Sequence, residues 1–92
     1  MTTYIMLGKY TAAGIRGATP QRTKEITDLI SRCGGKVEAM FAVLGEYDLV
    51  FRVSCPGPAE AMKVSFAVSK ASGISFTTMP AVPVEEFDKL LG

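Results

Sequence analysis

Hydrophobic and polar positions along the chain follow two different periods. Short apolar runs predict four strands, over residues 3–10, 36–44, 47–54 and 74–79. Between these runs, apolar positions recur at helical spacing over residues 20–33 and 58–71. In the second helical segment, one stripe carries Ala59, Met62, Phe66 and Ser69. The pattern therefore predicts strands and helices that alternate along one short chain.

Threonine, proline and glycine mark the ends of the predicted helices. Thr19 before Pro20 is typical of a helix start, because threonine caps the free backbone amides and proline suits the first turn. Gly34-Gly35 and Gly73 are typical of helix ends. Pro83 predicts the start of a short terminal helix. The predicted order is βαββαβ plus this helix, which is the ferredoxin-like arrangement of the α+β class: a four-stranded antiparallel sheet with two helices on one face. We expect one domain over residues 1–92.

The segment around Gly45 predicts a β-hairpin, since this glycine lies between two apolar runs. With Gly45-Glu46 as the turn, Val43 pairs with Asp48 and Ala39 with Arg52. One hairpin face then carries Met40, Ala42, Leu44, Tyr47, Leu49, Phe51 and Val53, which we expect to meet the helices. The opposite face carries Ala39, Phe41, Val43, Asp48, Val50 and Arg52.

In the first strand, we expect Ile5 and Leu7 on the helix side. The open side then receives Tyr4, Met6, Gly8 and Tyr10. An open face this apolar predicts an interface, and a homodimer joined through the sheets is the simplest form of it. A register shift of one residue would exchange the two faces, and both would remain apolar.

The charge and the composition of the chain limit the classes of partner and of chemistry that we expect. The net charge is +1, and no more than two Lys or Arg residues are adjacent. We therefore expect no nucleic-acid partner and no membrane partner, and a cytoplasmic location. Histidine is absent, which excludes Ser-His-Asp and Cys-His catalysis and removes the commonest metal ligand. We expect no metal and no cofactor. Cys33 and Cys55 are expected to be small buried thiols.

The chain resembles the GYD-domain family of small bacterial and archaeal proteins. The matching segments are Tyr4-Ile5-Met6-Leu7, Gly14-Ile15-Arg16, Leu44-Gly45-Glu46-Tyr47-Asp48, and the stretch from Thr78 through Val84-Glu85-Glu86-Phe87. This resemblance implies a homodimer whose two sheets close into a dimeric α+β barrel. The segment Gly45 to Val50 is also similar to a strand of the effector-binding domain of Lrp/AsnC-type regulators, which implies a stand-alone domain that senses a small effector.

Five residues near the hairpin and the first strand are candidates for a binding site: Tyr4, Tyr10, Tyr47, Asp48 and Arg52. An acid that opens an apolar strand is unusual, so Asp48 is expected to be paired or hydrogen-bonded. Asp48 could orient a small molecule while Arg52 holds an anion, or both could form structural pairs across a dimer.

Two further sets of residues each have a functional and a structural interpretation. Arg16 and Arg22 flank a glycine-bearing loop that could bind an anion, although a solvated loop is the simpler interpretation. Met6, Met40, Met62 and Met79 could line a pocket, although methionines more often fill a core.

Two classes of function fit this sequence. One is a non-catalytic module that binds a small molecule. The other is a cofactor-free enzyme of the isomerase or monooxygenase type, which would use a few polar groups in an apolar pocket. We favour binding, because the sequence offers no pair of base and nucleophile.

Overall fold

The computed structural model describes residues 1–92. The strands are β1 (Thr2–Tyr10), β2 (Lys36–Ala42), β3 (Leu49–Cys55) and β4 (Ile74–Ala81). The helices are α1 (Ala12–Arg16), α2 (Pro20–Arg32), α3 (Pro58–Ser72) and α4 (Val84–Leu90). The predicted order of strands and main helices is confirmed. The short helix α1 was not predicted, because its five residues are too few to show a period.

The four strands form one antiparallel sheet in the order β2-β3-β1-β4, so β2 and β4 are its edges. Helix α3 packs on β4 and β3, and α2 packs on β2 and α3. The predicted caps are present, since the Thr19 side chain accepts from the Arg22 backbone N–H and Gly73 adopts a left-handed φ of 73°. The ferredoxin-like α+β fold is thereby confirmed.

The core lies between the helices and one face of the sheet. Its buried apolar residues are Tyr4, Met6, Ile26, Ile30, Cys33, Phe51, Val53, Cys55, Ala61, Val64, Val68 and Ile74. The predicted helix-facing side of β3 is confirmed by Phe51 and Val53.

The predicted faces of β1 were wrong. Tyr4 and Met6 point into the core, while Ile5 and Leu7 lie on the open face. Gly8 belongs to the helix side as well, where a Cβ would stand 2.8 Å from Cε1 of Phe76. The β1 face that carries the glycine is therefore the face that must make room for the Phe76 ring.

The open face of the sheet is largely apolar. One row across the strands joins Phe41, Val50, Leu7 and Thr77, and the next joins Ala39, Arg52, Ile5 and Met79. No helix of this chain covers these rows. The prediction of an apolar open face is therefore confirmed for β2 and β3. In β1, the apolar residues on this face are Ile5 and Leu7 and not the predicted Met6 and Tyr10.

The β2–β3 connection has the predicted pairing. Ala39 lies opposite Arg52, and the Val43 N–H donates to the Asp48 carbonyl oxygen at 2.9 Å. Regular strand structure stops at Ala42 and resumes at Leu49, so the strands are shorter than predicted. The φ of Gly45 is +126°, as expected for a glycine in this turn.

Helix α4 follows the last strand after Val82 and Pro83, and none of its residues is buried. None of the helices combines the length and the hydropathy that a membrane span requires.

Candidate functional site

The five candidate residues do not form one cluster on the open face. Tyr4 is a core residue with 5% exposure, and Tyr10 is half-buried against the same core. The prediction that these two tyrosines lie on the open face was wrong, for the same reason that the faces of β1 were exchanged. Tyr47 is half-buried in the β2–β3 connection, and Arg52 remains on the open face.

Asp48 is engaged with the backbone of β1. Its Oδ2 accepts a hydrogen bond of 2.8 Å from the Tyr10 N–H, and its own N–H donates to the Gly8 carbonyl oxygen at 2.8 Å. These two bonds extend the β1–β3 pairing by one step beyond Leu49, which lies opposite Gly8. The expectation that Asp48 is paired or hydrogen-bonded is therefore met, and the partner is a backbone amide of the same chain.

Arg52 is the one basic residue in the middle of the apolar rows. Its cross-strand neighbours are Ala39 and Ile5, which offer no charge to its guanidinium. Next to Arg52 on the same face, Glu38 Oε1 accepts a hydrogen bond of 2.8 Å from Ser54 Oγ. By register, Lys9 and Lys36 lie at the margins of the same face, so the open face carries several positive charges and one negative charge around its apolar rows.

Arg22 lies at the opposite side of the sheet. Its guanidinium carbon stands 5.7 Å from the centre of the Tyr10 ring, a cation–π distance. Its Nη1 donates to the carbonyl oxygen of Gly14 and, at 3.5 Å, to that of Ser72. Arg22 thus ties α1 and the end of α3 together. Of the two arginines in the suggested anion loop, Arg22 has this structural role and Arg16 is exposed.

A cleft of about 460 Å³ lies between α3 and the edge strand β4. Its lining includes Tyr4, Ala61, Met62, Phe66, Phe76 and Pro80. Met62 and Phe66 are 65% and 77% exposed, so they form one rim of the cleft. A pocket of this size and composition suits a small apolar molecule.

Few polar groups reach the cleft. Ser65 Oγ lies 2.7 Å from Thr78 Oγ1 and 2.9 Å from the Ala61 carbonyl oxygen, so these hydroxyls are already hydrogen-bonded. Tyr4 is the only lining residue whose side chain can ionise. The cleft therefore offers shape and apolar surface, and it offers no acid–base pair.

The sequence pattern contained a signal for this cleft, because Met62, Phe66 and Ser69 of the predicted stripe line it. This stripe is not the face of α3 that packs on the sheet. The buried face instead carries Ala61, Val64 and Val68, which are smaller. Small side chains let α3 approach the sheet closely, and the larger ones are left beside the edge strand.

The four methionines are divided between core and surface. Met6 is buried and Met40 is partly buried against the core, whereas Met79 lies on the open face and Met62 at the cleft. The interpretation of all four as core residues was therefore wrong for Met62 and Met79.

A second cavity, of about 210 Å³, lies between α2 and β2. Its lining includes Tyr10, Arg22, Met40 and Phe41. The Tyr10 ring and the Arg22 guanidinium already contact each other there. This cavity is smaller than the α3–β4 cleft and its charged group is committed to the fold.

No three His, Cys, Asp or Glu side chains come together in a way that could hold a metal ion. Burial raises the pKa of the Cys55 thiol, and the nearby Glu60 and Cys33 add to this effect. Cys33 and Cys55 are both buried free thiols. A buried thiol with a raised pKa is a poor nucleophile, so Cys55 is suited to packing.

Comparison with known proteins identifies related sequences over almost the full chain. The model of the GYD domain matches residues 4–91. A protein of Thermus thermophilus named glutamine synthetase and cystathionine beta-lyase binding protein is 30% identical over 89 residues, which cover 94% of each of the two chains.

Solved structures with similar folds are more distant in sequence. The leucine response regulatory protein of Mycobacterium tuberculosis superposes with a TM-score of 0.60 at 10% identity. That match covers 89% of this chain and 51% of the regulator, so this chain spans about half of its length. A hypothetical protein of Pyrococcus horikoshii superposes with a TM-score of 0.57 at 21% identity, over 90% of this chain and 92% of its own. At such identities the likeness concerns the fold alone.

Proposed function

The chain belongs to the GYD-domain family, and from this premise we propose that it is a non-catalytic binding protein that takes a small apolar molecule in the α3–β4 cleft and works as a homodimer. The observation that carries the binding function is the cleft itself, with its volume of about 460 Å³ and its apolar rim. Tyr4, one of the candidate residues from the sequence, lies in its lining.

The chemistry of the cleft supports binding over catalysis. An isomerase or a monooxygenase without a cofactor needs a group that accepts or donates a proton next to the substrate. Among the lining residues only the Tyr4 phenol could do so, and Tyr4 is 5% exposed. An effector-sensing role would use the same cleft, with the bound molecule as the effector.

Filling the cleft tests this proposal. Ser69 lines the cleft and Ala71 lies on the exposed side of the same helix turn, so Ser69→Leu and Ala71→Leu introduce the same side chain at two contrasting positions. The uncharged fluorescent probe N-phenyl-1-naphthylamine is titrated against each variant at low protein concentration. We expect Ser69→Leu to weaken probe binding at least tenfold and Ala71→Leu to leave it unchanged. Equal binding by both variants would place the probe elsewhere and contradict the proposal.

The homodimer is proposed from the open face of the sheet. Phe41, Val50, Leu7 and Ile5 form contiguous apolar rows that no element of the chain covers. A patch of this kind on one side of a sheet is typical of an interface. A twofold axis through this face would bring Arg52 and Glu38 of the two copies onto the same buried surface, where opposite charges can pair.

The mass of the protein in solution tests the homodimer. Light scattering at micromolar concentration should give at least twice 9.8 kDa. Val50→Asp should dissociate the dimer, because an unpaired buried charge costs several kcal/mol (about 3–5). Leu44→Asp is the control, since Leu44 is fully exposed in the β2–β3 connection. A monomeric wild-type protein would rule out this assembly.

A protein partner is a second candidate function, and the Thermus relative favours it. That relative is named as a binding protein for two enzymes, and the alignment extends over nearly the full length of both chains. We propose that this chain also binds a protein. Purified glutamine synthetase and cystathionine beta-lyase from the organism that encodes this chain provide the test. Co-elution of either enzyme with the protein is expected, and separate elution at tens of micromolar would contradict the idea.

A further inference from the structure

Helix α4 has an apolar stripe that its own chain leaves uncovered. Val84 and Phe87 of α4 and Leu91, its C-cap residue with helical backbone angles, are spaced by three and four residues and therefore lie on one side of the helix. Their exposed fractions are 68%, 48% and 71%. A helix of seven residues is too short to be stable in water by itself, so its apolar side is expected to gain stability from a packing surface.

The rim of the α3–β4 cleft has the complementary character. Met62 and Phe66 are large apolar side chains that are mostly exposed on α3. Lys63 and Lys70 stand three residues before and four residues after Phe66, so both lysines lie beside it on the same side of the helix. The rim is therefore apolar at Met62 and Phe66 and basic on the side of Phe66 away from Met62.

Charge and length match between the two elements. Helix α4 carries Glu85, Glu86 and Asp88 beside its stripe, against a single lysine, Lys89. Its seven residues span about 10 Å, and the part of α3 that lines the cleft, from Pro58 to Ser69, spans about 18 Å. An acidic two-turn helix thus fits along the basic rim.

From this match we propose that α4 of one copy packs its Val84, Phe87 and Leu91 stripe onto the Met62 and Phe66 rim of the α3–β4 cleft of a second copy. In its own chain α4 leaves that cleft open, and only Val82 and Pro83 separate it from β4. A twofold pair would exchange both helices, so each copy would cover the other's cleft.

The contact is small and complements a larger interface. A stable interface buries about 1,200–2,000 Å² in total, more than two short helices can supply. The inference therefore rests on the proposed homodimer for the remaining area. It also adds a regulatory consequence, because α4 of the second copy and a small molecule compete for the mouth of the same cleft.

Disulfide trapping between differently tagged chains tests the placement of α4. Phe66→Cys is placed in one chain and Leu91→Cys in the other, both at exposed positions, while the native Cys33 and Cys55 are buried. We expect the mixed disulfide to form at least tenfold faster than the control pair of Phe66→Cys with Leu44→Cys. Equal rates for the two pairs would overturn the proposal.

A variant with both cysteines in one chain shows whether α4 packs on the cleft of a second copy or on the cleft of its own chain. If Phe66→Cys and Leu91→Cys in the same chain form a monomeric disulfide and the mixed chains do not, α4 closes on its own cleft and a second copy is excluded as the occupant. Light scattering of the wild type reports the homodimer separately. A dimeric mass with equal trapping rates would retain the homodimer and reject the α4 contact, whereas a monomeric mass would reject both.

Probe binding gives an independent readout. At high protein concentration, Phe87→Ser should raise the affinity for N-phenyl-1-naphthylamine at least threefold, because the competing helix is weakened. Leu44→Ser should have no effect. An unchanged affinity in Phe87→Ser, with the cleft shown to bind the probe, would contradict the competition between α4 and the ligand.

Discussion

The Asp48 carboxylate accepts a 2.8 Å hydrogen bond from the backbone N–H of Tyr10, a residue 38 positions earlier in the chain. A carboxylate that accepts from a backbone amide forms a charge-assisted bond, which is stronger than a neutral one. The bond joins the end of β1 to the start of β3 at the point where regular pairing stops. Asp48 therefore stabilises the end of the central β1–β3 pair next to the hairpin, and this accounts for an acid at the start of an apolar strand.

Replacing Asp48 should lower the free energy of unfolding, and the loss should be larger when the new side chain has no oxygen to accept the hydrogen bond. Asp48→Ala leaves the half-buried Tyr10 N–H without its partner, which costs about 1–3 kcal/mol. The melting temperature of a domain of this size should then fall by several degrees. Asp48→Asn keeps a side-chain oxygen in reach of the amide, so we expect a smaller loss. Thermal unfolding followed by circular dichroism measures both.

The control for this prediction is Glu46→Ala, which removes an exposed acid two positions earlier and should leave the melting temperature unchanged. If Asp48→Ala melts like the wild type, the hydrogen bond to Tyr10 does not contribute to the fold. If Asp48→Asn keeps the stability but loses probe binding in the cleft, the residue has a role in ligand binding instead.

The order of elements and the hairpin pairing could be predicted from the sequence because their signals are local. Thr19 and Pro20 specify a helix start through the geometry of the first turn. The position of Gly45 between two apolar runs was sufficient to place Ala39 opposite Arg52. Both features depend on residues that are close together in the chain.

The faces of β1 could not be predicted in the same way, because both sides of this strand are apolar. Ile5 and Leu7 are as hydrophobic as Tyr4 and Met6, so alternation alone does not distinguish inside from outside. The helix-facing side of β1 also carries Gly8, where a Cβ would stand 2.8 Å from Cε1 of Phe76, a residue far away in the sequence. The placement of Tyr4 in the cleft lining goes with the same exchange of faces.

The α3–β4 cleft was missed for a related reason. Helix α3 has two apolar stripes, and hydropathy favours the one with the larger residues, Met62 and Phe66. Close packing on the sheet instead selects the stripe with Ala61 and Val64. Side-chain volume at the helix–sheet contact was therefore the relevant property, and its effect depends on the tertiary structure.

The Cys55 thiol should make the alkaline stability of the protein depend on pH. Burial, together with Glu60 and Cys33, raises the pKa of Cys55 in the folded state above its ordinary value. The folded state therefore holds the proton more tightly than the unfolded state. This contribution to stability is fully present below the unfolded-state pKa and is lost as the pH rises through the folded-state pKa.

The measurement compares chemical unfolding of the wild type and Cys55→Ala between pH 7 and pH 10.5. Lysines and tyrosines titrate in both proteins over this range, so only the difference in slope reports on Cys55. We expect the wild type to lose stability more steeply than Cys55→Ala above about pH 8.5. Parallel curves would show that the thiol has the same pKa in the folded and unfolded states.

Gly45 is expected to be required for its backbone conformation alone. Its φ of +126° lies in a region that residues with a side chain rarely adopt, and a Cβ at this position would meet no atom within 4 Å. Gly45→Val should therefore destabilise the fold by about 1–2 kcal/mol through strain, without any steric clash. Glu46→Val is the matched control, because Glu46 is exposed and its φ is not positive. We expect the melting temperature to fall by several degrees in the first variant and to stay near the wild-type value in the second. Equal melting temperatures in the two variants would mean that the β2–β3 connection relaxes to accept a side chain at position 45.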